Sequence, residues 1–187
     1  MTRDQALKLL HAHMKSANLI RHCYAVGAVM KALARYFKED VDKWEIIGLL
    51  HDGDYEETRA TPELHTLKMA DWLKKEEVED KEILEAILSH NYSHTGQNPP
   101  KNKLEWALYC CDELTGLIVA VALVKPDSKL ASVTVESILK KWKQSSFAAG
   151  VKRGQIEECE GRLNIPLNEF IQIALEAMQG ISSELNL

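Results

Sequence analysis

Apolar residues recur along this chain at intervals of three and four positions, which is the spacing of one face of an α-helix. Alternating apolar and polar residues, the pattern of a half-buried strand, are rare by comparison, and the helix formers Ala, Leu, Lys and Glu dominate. The clearest stripe contains Leu19, Cys23, Val26, Met30, Leu33 and Phe37. We therefore expect an all-α fold.

Helix-start and helix-stop residues divide this pattern into segments. Asn18 is a plausible N-cap, Thr61 precedes a proline at a first helical position, and Pro126 ends the longest apolar stretch. The predicted helices cover residues 3–15, 18–37, 44–51, 62–75, 81–90, 104–124, 134–144, 146–162 and 166–184. Gly53 ends the third helix and an acidic loop follows, while the glycine and prolines of 93–102 predict an irregular surface loop.

Length and composition predict one globular domain. The 187 residues, 45% hydrophobic and 27% charged, are enough for a single compact core spanning 1–187, with the helices of 133–187 packed on it. The formal net charge of −5 disfavours nucleic acid as a partner. Lys140, Lys141 and Lys143 around Trp142 are better explained as a solvated helix face than as a basic binding patch.

The chain shows no sign of export or membrane insertion. Its four cysteines have neither CxxC spacing nor the density of a disulfide scaffold, and its first residues lack the apolar core of a secretory signal. The apolar stretch 106–124 contains Asp112 and Glu113 and barely reaches the length of a membrane span. We expect a cytoplasmic protein with reduced thiols and no membrane partner.

Five polar residues occupy apolar helix faces, where a solvated side chain is not normally placed. They are His22, His51, His65, His90 and Asp112. Asp112 is the most informative, because burying an unpaired carboxylate costs many kcal/mol unless it is protonated, paired with a cation or bound to a metal. Imidazoles and carboxylates together are the mixed ligands of divalent transition metals. The pattern therefore predicts a buried metal site.

The remaining histidines lack this support. A lone histidine on an apolar face is usually a hydrogen-bonded core residue, and only the combination with Asp112 and the adjacent pair His51-Asp52 favours a metal. We expect His11 and His13 near the terminus to be surface residues. His94, beside the predicted loop, is a candidate for contact with a substrate.

The order His22, then His51-Asp52, then Asp112 resembles the pattern of the HD-domain superfamily of metal-dependent phosphohydrolases, over about residues 18–124. The resemblance implies an HD-domain-like helical bundle around a central metal bound by these four residues. It further implies that His65 and His90 add a second metal, with Asp52 as the bridge. The cofactor is then one or two divalent ions, namely Fe, Mn, Co, Ni or Zn, with Mg as a further option.

The chain departs from common family patterns after the pair, where it reads Gly53-Asp54-Tyr55. Tyr55 stands where many members have a lysine or glutamate helper, so no general acid or base can be carried over. Asp54, Glu56 and Glu57 are only nearby candidates for that role. The Gly-Tyr-Pro signature of cyclic-dinucleotide phosphodiesterases is also missing.

The resemblance implies a hydrolase in which His51 and Asp52 are catalytic and a metal-activated water attacks a phosphate ester or anhydride of a nucleotide or similar small metabolite. Residues on neighbouring segments are candidates to bind the phosphate, and these are Arg21, Arg59, Lys101 and Lys125. Two alternatives stay open: a di-iron oxygenase resembling the inositol oxygenases, and a catalytically silent module that binds metal or nucleotide. Assembly into a homo-oligomer also stays open.

Overall fold

The computed structural model describes residues 1–187, which contain no β-strand. Its α-helices are α1 Arg3–His13, α2 Ala17–Phe37, α3 Val41–Leu50, α4 Tyr55–Thr58, α5 Leu67–Lys75, α6 Lys81–His90, α7 Tyr92–Thr95, α8 Lys103–Leu123, α9 Val135–Trp142, α10 Arg153–Glu158, α11 Leu167–Gln179 and α12 Ser182–Leu185. Two 3₁₀ turns, Pro62–Leu64 and Leu130–Ser132, and a π-helical turn, Cys159–Leu163, complete the chain. The all-α prediction is confirmed.

Polar caps explain where several helices begin. The Asp40 carboxylate accepts hydrogen bonds from the backbone N–H groups of Asp42 and Lys43, and Asn102 caps α8 through the N–H of Glu105. Asp80 similarly caps α6. Each cap satisfies backbone donors that have no partner inside the first turn. The long apolar segments consequently begin and end within a few residues of their predicted limits.

Sequence patterns failed mainly at short or interrupted helices. The acidic loop contains α4, and the start of the predicted loop 93–102 belongs to α7. Helix α10 begins only at Arg153 because residues 143–152 form turns. The predicted helix 62–75 is interrupted at Thr66, whose φ of 70° is incompatible with a right-handed helix. The predicted helix 166–184 divides at Gly180 into α11 and α12. Four-residue helices have too few positions to show a periodic pattern.

Helices α2 and α3 cross in close contact. A methyl group placed on Gly48 would lie 2.7 Å from the Cα atom of Gly27, so the two backbones touch where both residues lack a side chain. This close approach fixes α2 relative to the end of α3. The next residues beyond that end are the pair His51-Asp52.

Helix α8 runs through the centre of the fold and packs against α2, α6, α10 and α11. One cluster of 46 buried hydrophobic residues extends from Ala6 in α1 to Leu185 in α12, so the C-terminal helices share the core of the preceding part. By length and composition alone α8 is long and apolar enough to span a membrane. More than half of its most apolar window (56%) is buried within the fold, as in the core helix of a soluble protein.

Candidate metal centre

Four helices and one link bring the predicted polar residues together at the centre of the bundle. His22 lies on α2, His51 and Asp52 directly follow α3, His90 is the last residue of α6, and Asp112 lies in α8. His65 lies in the link between the Pro62–Leu64 turn and α5. His51 is fully buried, and Asp52 and His65 are less than 10% exposed.

One cluster of donor atoms forms between α2, α3 and α8. His22 Nε2 lies 2.9 Å from Asp112 Oδ1 and 3.3 Å from His51 Nε2. Asp52 Oδ2 is 3.6 Å from both of those Nε2 atoms, and Asp112 Oδ1 is 3.6 Å from His51 Nε2. Two imidazole nitrogens and two carboxylate oxygens thus converge on one point.

A second cluster forms on the other side of Asp52. Its Oδ1 atom is 3.2 Å from His65 Nε2 and 3.2 Å from His90 Nε2. The two oxygens of the Asp52 carboxylate therefore face two separate groups of histidines. This is the arrangement that a carboxylate needs in order to bridge two cations.

Outer hydrogen bonds hold three of the imidazole rings. His51 Nδ1 donates to the carbonyl of Gly48 at 2.7 Å, His65 Nδ1 to Asp54 Oδ1 at 2.7 Å, and His22 Nδ1 to Thr115 Oγ1 at 3.3 Å. With the proton on Nδ1, each Nε2 presents a lone pair to the cluster. Metal-binding histidines in proteins are oriented by such partners, so these residues fit a divalent cation.

Two further contacts support this fit. Neutral His22 and His51 with their protons on Nδ1 face each other through Nε2 acceptor atoms 3.3 Å apart, an arrangement that needs a cation or proton between them. His90 Nδ1 is buried and has no hydrogen-bond partner. Buried polar atoms without a partner are uncommon in folded proteins, and this one lies 4.0 Å from Asp112 Oδ2.

The electrostatics show how strongly this cluster attracts positive charge. Burial alone would lower the pKa of His22, but its hydrogen bond to Asp112 and the charges of Asp112 and Asp52 raise that pKa to about 9. Burial likewise opposes the shift at His65, whose hydrogen bonds to Asp52 and Asp54 raise its pKa to about 9. Without a metal, protons on imidazoles balance the carboxylates, and a bound divalent ion would replace them.

A cavity of about 370 Å³ opens onto both clusters. Its wall includes five of the six predicted ligands, namely His22, Asp52, His65, His90 and Asp112. Tyr55 lies on the wall with its ring edge-on to His65, and His94, the predicted substrate contact, lies there as well. These five predicted ligands are thus accessible to a small molecule, whereas His51 is fully buried behind them.

The four predicted phosphate-binding cations are not brought together. Arg59 lies on the cavity wall, whereas Arg21 lines a separate cavity of about 380 Å³ on the other side of His22. Lys101 lies beside Glu105 in a small cleft near α6, and Lys125 is in the turn after α8. Neither lysine lines the metal cavity, because the start and end of α8 lie on either side of the turn that carries Asp112.

Two positioning residues were missed or misassigned from the sequence. Asp54 is a candidate acid or base by sequence, yet it is fully buried and absent from the cavity wall. Its carboxylate instead accepts hydrogen bonds from His65 Nδ1 and the Met69 N–H. Asn91 donates its amide to the carbonyls of Pro62 and His65. The only sequence signal for either was adjacency to a predicted ligand.

The acidic residues that follow are also engaged elsewhere. Glu56 accepts hydrogen bonds from the backbone N–H groups of Lys15 and Ser16 at the start of α2. Glu57 pairs with Lys68 and with His13, whose ring stacks on Trp72. Their contacts link α4 to α1, α2 and α5, away from the donor atoms of the two clusters.

Comparison with protein families gives one match, to the HD domain, over residues 19–122. No curated protein and no solved structure matches the chain. The matched segment covers more than half of the sequence and contains every residue of the two clusters. The chain belongs to the HD-domain family.

Proposed function

We propose that this protein is a metal-dependent phosphohydrolase acting on a phosphate ester or anhydride of a nucleotide or similar small metabolite. HD domains belong to a superfamily of metal-dependent phosphohydrolases, and they bind divalent metals. The observation that carries the proposal for this chain is the Asp52 carboxylate. Its Oδ2 faces His22 and His51, while its Oδ1 faces His65 and His90.

The residues divide naturally between two cations. His22, His51, Asp112 and Asp52 Oδ2 would hold one, and His65, His90 and Asp52 Oδ1 would hold the other. When bound, two such ions lower the pKa of a water molecule and neutralise charge on the phosphoryl oxygens. Mixed nitrogen and oxygen ligands suit Mn, Fe, Co, Ni or Zn more closely than Mg.

The protein's own groups orient the site and supply positive charge. Gly48, Asp54 and Thr115 fix the imidazole rings so that Nε2 faces inward. Arg59 lies on the cavity wall without a hydrogen bond or ion pair to the protein, so its guanidinium is available to a phosphate oxygen.

The cavity wall favours water as the attacking group. It includes no cysteine, the Thr58 hydroxyl is already donated to the carbonyl of Asp54, and the Ser93 hydroxyl oxygen accepts from Lys152 Nζ. A cavity of about 370 Å³ lies within the size range of small-molecule sites, which supports a metabolite rather than a polymer as substrate.

The test is phosphate release by the protein loaded in turn with Mn, Fe, Co, Ni or Mg, screened across nucleotides and small phosphate esters without oxygen. Asp112→Asn removes a charged ligand at nearly constant volume. Its activity should fall by about 100-fold or more, since even the outer partners of metal ligands are worth about 10–100-fold. The control Asp71→Asn removes an exposed carboxylate on α5 and should keep full activity.

Two results would contradict the proposal. Absence of phosphate release from the wild-type protein with every metal would point to a binding module. Oxygen consumption by an iron-loaded, mixed-valence protein, without phosphate release, would assign the site to a di-iron oxygenase instead.

A further inference from the structure

A loop outside the matched family segment closes onto the mouth of the metal cavity. Residues 143–152 join α9 to α10. The Arg153 guanidinium stabilises this loop by donating hydrogen bonds to the carbonyls of Trp142, Gln144 and Phe147. Three hydrogen bonds from one planar cation define the shape of a segment that has no regular structure of its own. The residue immediately before Arg153 is Lys152.

Lys152 is attached to the cavity by both its backbone and its side chain. Its backbone N–H donates to Glu113 Oε2 at 3.1 Å, and its Nζ lies 3.2 Å from Ser93 Oγ and 3.2 Å from His94 Nε2. Glu113, Ser93 and His94 all lie on the cavity wall. The ammonium group is therefore held at the mouth although it comes from a different part of the chain.

No carboxylate oxygen lies within 4.0 Å of this ammonium group, and the charge of Glu113 acts on it only at longer range. Lys152 forms no salt bridge, and both acceptors of its Nζ are uncharged groups. Burial and the neighbouring Lys152 charge lower the pKa of His94, which keeps the imidazole neutral and able to accept a hydrogen bond. An ammonium has three N–H donors, so one remains free.

A tethered cation that forms no salt bridge and is bonded to the wall of a cavity is an arrangement suited to an anionic ligand. A salt bridge does not explain how this loop contacts the cavity. The Glu113 carboxylate accepts from the backbone N–H of Lys152, and the Nζ atom of Lys152 contacts uncharged groups. The ordinary surface lysine is free in solvent, whereas this one is directed by two side chains of the wall.

We propose that Lys152 is a substrate-binding residue that contacts a phosphate oxygen at the mouth of the cavity, with Ser93 and His94 holding its ammonium group in place. The inference rests on the proposed function for the identity of the ligand as a phosphate. It assigns a role in the site to the C-terminal part of the chain, beyond residues 19–122.

The experiment measures binding of inorganic phosphate to the Mn-loaded full chain by calorimetry. Lys152→Met keeps the length of the side chain but removes the charge, and phosphate affinity should fall by about 10-fold, the size expected for one hydrogen bond to a charged group. Lys152→Arg restores a cation and should recover affinity to within about threefold. Lys140→Met is the matched control, since Lys140 is an exposed lysine of α9, and its affinity should equal that of the wild type.

Metal content and melting temperature should be equal in all four proteins, which separates a role in binding from a role in folding. On a hydrolysed ester, Lys152→Met should raise KM and change kcat little. Equal phosphate affinity in Lys152→Met and the wild type would overturn the inference, even if both hydrolyse esters. Conversely, phosphate binding that depends on Lys152, in a protein that hydrolyses no ester, would support the inference while contradicting the proposed function.

Discussion

Asp54 shows how a single residue outside the ligand set can decide whether a ligand is usable. Its carboxylate is fully buried and accepts from two donors, His65 Nδ1 at 2.7 Å and the Met69 N–H at 2.9 Å. The first contact orients the imidazole toward Asp52, and the second fixes the start of α5. Asn91 donates its side-chain amide to the backbone carbonyl of His65.

Asp54→Asn should weaken the cluster formed by His65 and His90 while leaving the other cluster in place. His65 Nδ1 and the Met69 N–H donate to different oxygens of Asp54, and an amide replaces one of those oxygens with an NH₂ group, so one buried N–H loses its partner. We expect affinity for the second metal to fall by about 10–100-fold. Metal analysis under limiting free Mn should then give close to one ion per chain where the wild type holds two.

The control for this substitution is Glu57→Gln, which removes a half-exposed carboxylate of the same segment. It should bind metal as the wild type does. Equal loss of both metals from Asp54→Asn would contradict a role confined to His65 and would indicate a general loss of folding.

At the scale of helices, the crossing of α2 and α3 positions the site. The side chains of His22 and His51 meet because Gly27 and Gly48 let the two backbones touch one turn or more away from the ligands. The Gly48 carbonyl also accepts the proton of His51 Nδ1. Gly48 thus allows the close packing of α2 against α3 and also orients the imidazole of His51.

Gly48→Ala should destabilise the protein by about 1–3 kcal/mol, the usual cost of forcing an extra group into a packed core. The added methyl would lie 2.7 Å from Gly27 Cα and 2.8 Å from the carbonyl oxygen of Val26, and neither backbone atom can rotate away. Denaturant unfolding of the metal-free protein measures the effect.

The matched control is the same change on α8. A methyl group on Gly116 meets no atom within 4 Å, so Gly116→Ala should stabilise the helix by up to about 1 kcal/mol through propensity alone. If the free energy of unfolding falls in Gly48→Ala and rises in Gly116→Ala, the effect of packing is separated from that of helix propensity. A neutral Gly48→Ala would show that the helices separate at little cost.

At the scale of the whole molecule, the centre of the fold is polar. Four helices and one link place two carboxylates and four imidazoles, each buried or partly buried, among 46 core hydrophobic residues. Charges in such a place destabilise the native state unless they are compensated. The metal-free protein compensates them with shared protons, as the raised pKa values of His22 and His65 indicate.

Metal binding should therefore stabilise the entire fold. At a free Mn concentration 100 times the dissociation constant, the native state gains about 2.7 kcal/mol, which corresponds to a rise in Tm of about 5–10 °C for a domain of this size. Thermal unfolding after chelator treatment and after Mn addition measures the difference. The rise in Tm on Mn addition should be much smaller in Asp112→Asn. A rise equal to that of the wild type would place the stabilising metal elsewhere.

The sequence by itself determined the helical class, the long helices and the polar residues that meet at the centre of the fold. Helical periodicity over ten or more residues is a strong signal, and α2, α6 and α8 were predicted within about two residues at each end. Asp112 could be identified because a carboxylate on an apolar stripe conflicts with the hydrophobic pattern around it. The family resemblance then extended the set to His65 and His90.

Tertiary structure alone decided how those residues are divided and supported. Nothing in the spacing shows that the two oxygens of Asp52 face different histidines, that Asp54 is a buried support, or that Thr66 interrupts a helix with a φ of 70°. These features depend on contacts between segments that are distant in sequence. Lys152 is the clearest case: it reaches Ser93 and His94 across more than fifty residues of chain, and no local pattern distinguishes it from any other surface lysine.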